Sequence, residues 1–247
     1  MNPVDSFVLR FLYFAVTALC IMMVIWILLL PGSWLIGRAK WHDDLVLQAS
    51  FEGAVVPIEI MTKYQGHTLV HVTHILPGAV WAGIIPFQLH PDVRRRNPKI
   101  HRFLGYLFAT SVILMSIGVG IILQRGLLFE RFFPDLPPQP ISTEAPLIFL
   151  TIWFLFTGVY AVSQAMQKRV LQHRRWILRH VSSGIWIAIQ RFLLTTLYPI
   201  LYTPPISRTS QRDIFVQAAI IGMCVSFILG EYAIIALDRN RTKSKNA

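Results

Sequence analysis

Residues 11–30 read FLYFAVTALCIMMVIWILLL, and no charged side chain occurs between Arg10 and Arg38. Wound as a helix, such a run rises about 30 Å, the thickness of the hydrocarbon core of a bilayer. Equally charge-free stretches lie between Arg102 and Arg125 and between Glu144 and Lys168. Over all 247 residues, 54% are hydrophobic and 14% charged, whereas soluble domains carry about 25% charged residues. The mean hydropathy is +0.54. A soluble enzyme, a disordered chain and a nucleic-acid reader with a basic surface are excluded. The fold class is all-α: a polytopic integral membrane helical bundle.

Hydropathy places six spans at about 8–30, 67–89, 103–123, 146–166, 176–200 and 214–237. The breaks between them carry turn chemistry: Pro31-Gly32, His90-Pro91-Asp92, Pro134 through Pro140, and Thr203-Pro204-Pro205. The first apolar run exceeds the ~7–15 residues of a secretory signal and has no small-x-small site after it. It reads as a retained span. The longer segment 31–66 has room for an interfacial helix at 45–54. No internal repeat is present, so residues 1–247 form a single membrane domain.

The formal net charge is +11, from 23 Lys and Arg against 12 Asp and Glu. In a membrane protein such an excess marks cytoplasmic loops and anionic lipid headgroups rather than nucleic acid. With the N-terminus inside, 14 basic residues fall on the inner side and 7 on the outer. That asymmetry predicts a multi-pass protein of the cell membrane with both termini cytoplasmic. The two cysteines, Cys20 and Cys224, lie inside apolar runs and read as small hydrophobes.

Ionisable groups inside spans cost about 2.5–3.5 kcal/mol each and default to functional candidates. The second span opens with His67, His71 and His74, spaced i, i+4 and i+7 and therefore on one helical face. His67 reads as part of an interfacial polar cap; His71 and His74 read equally as ligands or as structural groups. Near the inner side stand His101 at the start of the third span and His173 and His180 around the start of the fifth. Glu231 lies at a depth where either His180 or Arg179 can pair with it. Arg191 is 11 residues beyond His180, on nearly the same face and at the level of His74. No acidic residue of the spans shares that depth. A haem propionate, a quinone oxygen or a lipid phosphate would each suit its guanidinium fork. Glu52 and Glu59 read as exposed loop carboxylates.

Histidines near both faces of a small bundle suggest haem b, held by neutral imidazoles from facing helices. They equally suit a proton or metal path. His101 with His173 or His180 would make an inner pair around a haem iron, with His101 and His173 the metal ligands of choice. His71 or His74 marks an outer site without a partner from another helix.

The elements Gly83-Ile-Ile-Pro86-Phe87-Gln88, His101-Arg102-Phe-Leu-Gly105-Tyr106 and His173-Arg174-Arg175-Trp176-Ile-Leu-Arg179 resemble an uncharacterised family of polytopic membrane proteins, domain of unknown function 2306. The likeness covers roughly residues 67–191. It implies recurring histidines at one of His71 or His74, at His101 and at His173, and it implies no established reaction. Where the family pattern has methionine and a small residue, this chain has Ile177 and His180. In architecture alone the chain resembles b-type di-haem transmembrane electron carriers. No Gly-x-Gly-x-x-Gly, His-Glu-x-x-His or Gly-x-Ser-x-Gly motif is present. A redox role would therefore need an external electron donor or partner protein.

Two functions follow. One is a haem-b-binding electron-transfer protein using His101 and His173, with His71, His74, His180 and Arg191 as further cofactor contacts. The other is a non-redox membrane protein (a transporter, a proton path or an assembly factor) with structural histidines.

Overall fold

Every expected span is helical in the computed structural model, which describes residues 3–29, 55–57, 59, 63–137 and 142–245, with the side chains of 7–28, 55–57, 59, 63–137 and 142–239. The helices are α1 (Pro3–Leu29), α2 (Thr68–Leu89), a short α3 (Pro91–Arg96), α4 (Pro98–Gln124), α5 (Glu144–Met166), α6 (Val170–Leu201) and α7 (Arg208–Lys245). All but α3 are long and apolar enough to cross a bilayer. In lipid a helix satisfies its own backbone groups, which is why these runs take no other form. α4 and α6 each begin five or six residues ahead of their expected starts, at Pro98 and Val170. The helical turns continue past the apolar run because the long basic side chains there, Lys99 and Arg102 on α4, can reach headgroups and Arg175 on α6 is paired with Asp238. The interfacial helix expected at 45–54, and Glu52, lie outside the described residues.

Local chemistry sets the ends. The His90 ring accepts the Asp92 amide at 3.2 Å, and Pro91 opens α3 with its fixed φ. α4 closes in a Schellman turn, with Leu127 N–H reaching Ile122 O at 2.9 Å and Gly126 at φ 65°. α5 closes in the same way, Arg169 N–H to Gln164 O at 2.9 Å, but Lys168 occupies the left-handed position at φ 59°.

Two helices depart from α geometry. His71–Ile75 within α2 and Leu193–Leu197 within α6 are π turns. Each ends two residues before a proline, Pro77 and Pro199. A proline ring collides with the carbonyl four residues earlier and donates no N–H, and a widened turn relieves both conflicts.

The six long helices form a ring in chain order, closed by α1 against α7, and α6 also touches α1. α1 begins and α7 ends at one face of the bundle, the terminal face; the opposite one is the distal face. Phe7, Phe11 and Phe14 on α1 and Phe149, Ile152 and Phe156 on α5 point out of the bundle, as a lipid-facing surface requires. α6 turns its polar side inward, burying His180, Ser182, Ser183 and Gln190. One core cluster joins Cys20, Trp81, Ile85, Phe108, Phe154 and Ile185. A second, nearer the distal face, joins Val55, Phe129, Phe133, Leu194, Tyr198 and Phe215. Small residues allow the close crossings. A Cβ added at Gly222 would meet the Trp186 carbonyl at 2.7 Å, and one at Gly118 would meet the His74 Cβ at 2.6 Å.

Candidate functional site

All six long helices line a cavity of ≈ 500 Å³, a size typical of small-molecule sites. Its floor is apolar, formed by Trp81 of α2, Phe154 of α5 and Gly184 of α6. Toward the distal face it reaches Lys63, Tyr64 and Thr143. Three basic side chains line it (Lys63, His74 and Arg191), and no carboxylate does so among the described residues.

Arg191 sits one position before the last residue of regular α-helix in α6, at the edge of the π turn. Its Nη1 donates to Gln190 Oε1 at 3.0 Å, and Gln190 is fixed in turn because its Nε2 donates to Phe215 O at 2.9 Å. The guanidinium lies over Trp26 at 5.4 Å and over Phe215 at 5.3 Å. Its Nε is buried and has no hydrogen-bond partner among the described residues. Two aromatic faces return up to about 2 kcal/mol each to a desolvated cation, which is comparable to the insertion cost but leaves the charge without a counter-ion.

His74, in the π turn of α2, packs against α4: its Nδ1 donates to Met115 O at 3.3 Å. That bond places the ring proton on Nδ1 and leaves Nε2 as an acceptor lone pair. His67 meets α4 as well, with its Nδ1 3.2 Å from Arg125 Nη1. His67 and His74 are thus both turned to α4. His71 is buried, with Nδ1 3.1 Å from His67 O. Arg191 and His74 line one cavity, as their common depth implied.

His180 is placed differently. It is fully buried below the cavity floor, where Trp81 Nε1 donates to its Nε2 at 3.0 Å. Its Nδ1 lies 3.0 Å from Phe154 O and 3.2 Å from Thr157 Oγ1. An indole N–H only donates, so Nε2 is the bare nitrogen and the Nδ1–H donates to Phe154 O. Both ring nitrogens are occupied by protein groups. Glu231 pairs instead with Arg179, through two bonds of 2.7 and 3.0 Å, and Arg175 holds Asp238 in the same forked way at 3.1 and 2.7 Å.

At the terminal face the structure brings His101 and His173 close enough to interact electrostatically, with Arg94 near both. His173 Nδ1 donates to Ala161 O at 2.9 Å, and the buried His101 Nδ1 has no partner among the described residues. The cavity reaches neither of them. No group of three or more His, Cys, Asp or Glu able to hold a metal ion exists among the described residues.

One expectation is corrected. Glu59 is not an exposed loop carboxylate: it is 8% exposed and accepts from Arg208 Nη2 at 2.7 Å. Arg208 also reaches Asp135 at 3.6 Å and covers the Phe133 ring at 5.3 Å. A carboxylate with a guanidinium partner tolerates burial that a lone one does not. Trp81 and Gln190 were missed because neither carries a charge or a motif; only their polar atoms within apolar runs could have drawn attention.

The fold and this cavity define a six-span integral membrane protein with an inter-helix site. The chain belongs to a family described as predicted membrane protein (DUF2306), whose profile matches residues 71–234. The match begins at His71 and continues past Arg191 into α7. No functionally curated protein and no solved structure matches the chain significantly.

Proposed function

We propose that the protein binds one amphiphilic molecule inside the bundle, its apolar body against Trp81 and Phe154 and its hydrogen-bond-accepting head at Arg191. The observation that carries this reading is the Arg191 guanidinium in a largely apolar cavity, its Nε unpartnered and no carboxylate among the described lining residues. The π turns beside His74 and Arg191 support it, since such turns recur at functional sites. The excess of basic residues supports an orientation with both termini cytoplasmic in the cell membrane, and the distal mouth of the cavity then opens outward. Trp26, Trp81 and Trp186 line the cavity and supply the test. A brominated single-chain amphiphile should quench their fluorescence saturably in bilayer nanodiscs. Ser116→Leu, which fills the cavity from α4, should abolish that component while the protein stays folded. Linear, non-saturating quenching in the wild type would sink the proposal.

A second reading rests on the inner pair. His101 has a buried Nδ1 with no partner among the described residues, and His173 is held through its Nδ1 by Ala161. Two such imidazoles suit the axial positions of a haem b in an electron-transfer protein, fed by an external donor or partner protein. An absorption spectrum of the purified protein, oxidised and then dithionite-reduced, decides it. Sharp reduced bands that vanish in His101→Ala would support it, and a featureless spectrum from haem-replete cells would remove it.

A further inference from the structure

We infer that the head of the bound amphiphile is an anion, a carboxylate or a phosphate on a single apolar chain, and that Arg191 is its counter-ion. The inference rests on the binding reading above and adds the sign of the charge. A guanidinium stays protonated under any physiological condition, so the cavity carries a permanent positive charge. No described carboxylate lines the cavity: Glu130 is held by Ser142 and Thr143 at its distal rim, Glu144 pairs with Arg131 and Asp213 with Arg212. Glu231 and Asp238 are gripped by Arg179 and Arg175 toward the terminal face, and Glu59 by Arg208. Lys63 adds a second positive charge at the distal end of the same cavity.

A neutral head, such as a quinone carbonyl, would accept a hydrogen bond from Arg191 but leave its charge uncompensated in a low-dielectric site. An anionic head answers both needs at once, because the free Nε–H offers a charge-assisted bond. The neighbouring Gln190 contributes to this. By accepting from Nη1 and donating to Phe215 O it fixes the guanidinium plane before the head arrives. His74 adds an acceptor, its Nε2, for a head group that retains one proton. A singly ionised phosphate monoester is such a head, both anionic and protonated, whereas a carboxylate uses Arg191 alone. The volume of ≈ 500 Å³ suits one chain rather than a two-chain phospholipid.

The experiment uses the full chain in nanodiscs of neutral lipid and follows tryptophan quenching by three brominated probes of equal chain length: a fatty carboxylate, an alkyl phosphate and the methyl ester of the carboxylate. The carboxylate or the phosphate, whichever matches the natural head, should saturate at a concentration at least tenfold below the ester. Arg191→Gln should erase that preference, and Arg191→Lys should keep part of it. If Arg191→Gln does not fold, Arg191→Met, which keeps the length without the charge, decides, because an undiminished preference there overturns the counter-ion role. Equal affinity for ester and acid, with both lost in Ser116→Leu, would overturn the anionic head and leave the binding reading intact. No saturable quenching by any probe would overturn both.

Discussion

Trp81 Nε1 and His180 Nε2, 99 residues apart in sequence, meet at 3.0 Å in the buried centre of the bundle. The bond fixes the histidine as the neutral Nδ1–H tautomer, whose proton goes to Phe154 O at 3.0 Å. Three helices (α2, α5 and α6) are thereby tied at one point directly below the cavity. The indole forms the floor and the imidazole sets its tilt.

Breaking that tie should destabilise the protein from either side. Trp81→Phe strands the Nε2 acceptor, and His180→Phe strands the indole donor; each should cost about 1–3 kcal/mol. The double variant should lose less than the sum of the two, read as apparent Tm by near-ultraviolet circular dichroism. Strict additivity would mean that the bond contributes nothing to stability.

Gly184 tests the same floor from α6. A Cβ there would stand 2.6 and 2.8 Å from two Trp81 ring carbons and 3.0 Å from Phe154. Gly184→Ala should therefore push the indole away from His180 and lower stability by about 1–3 kcal/mol. Its effect should largely disappear in a Trp81→Phe background if the indole is the group displaced. An unchanged Tm in the wild-type background would show that the floor yields freely.

Lys168 holds a left-handed conformation at the end of α5, φ 59°. Glycine takes that conformation without steric cost, so Lys168→Gly should raise stability by about 1 kcal/mol. A fall in Tm would show instead that the lysine makes contacts outweighing its backbone strain.

The fork between Arg179 and Glu231 is geometrically good but partly open, with side-chain exposures of 29% and 52%. Exposure discounts the Coulomb gain, so a double-mutant cycle with Arg179→Gln and Glu231→Gln should return less than about 1 kcal/mol of coupling. A markedly larger value would place the pair in hydrocarbon rather than at the headgroups.

Asp92, in the first turn of α3, accepts from Arg95 at 2.7 Å, which holds its carboxyl below the ordinary value of 3.8. A depressed carboxylate pKa adds stability at neutral pH that is lost as pH falls through the depressed value. Tryptic cleavage at Arg94, Arg95 and Arg96 should therefore be easier in Asp92→Asn at neutral pH, with the global Tm unmoved. Unchanged cleavage would show that α3 does not depend on this pair.

Much of this arrangement is legible from spacing alone. Charge-free runs disclose the spans because hydrocarbon selects against charge over a fixed length. Depth arithmetic along a helix brings Arg179 to Glu231 and sets Arg191 level with His74. It fails for His180, because depth says nothing of which neighbour a ring will face, and the partner turned out to be a tryptophan in an apolar run. It also fails at Glu59, whose partner Arg208 lies 149 residues away. The cavity escapes one-dimensional reading altogether, since it is a void made where six side-chain stripes do not meet.

The π turn at His71–Ile75 holds one residue more than the α turn it replaces. α2 thus contains a seam at which its length can change by a residue without loss of the helix. Deleting Val72 would remove that extra residue and let the turn close to α geometry, leaving His67 beside Arg125 and the floor in place, whereas a deletion in the regular helix beyond it would turn one end by about 100° against the other. In this helix the polar cap at the distal mouth and the aromatic floor keep one register across the turn, and the extra residue is the slack between them.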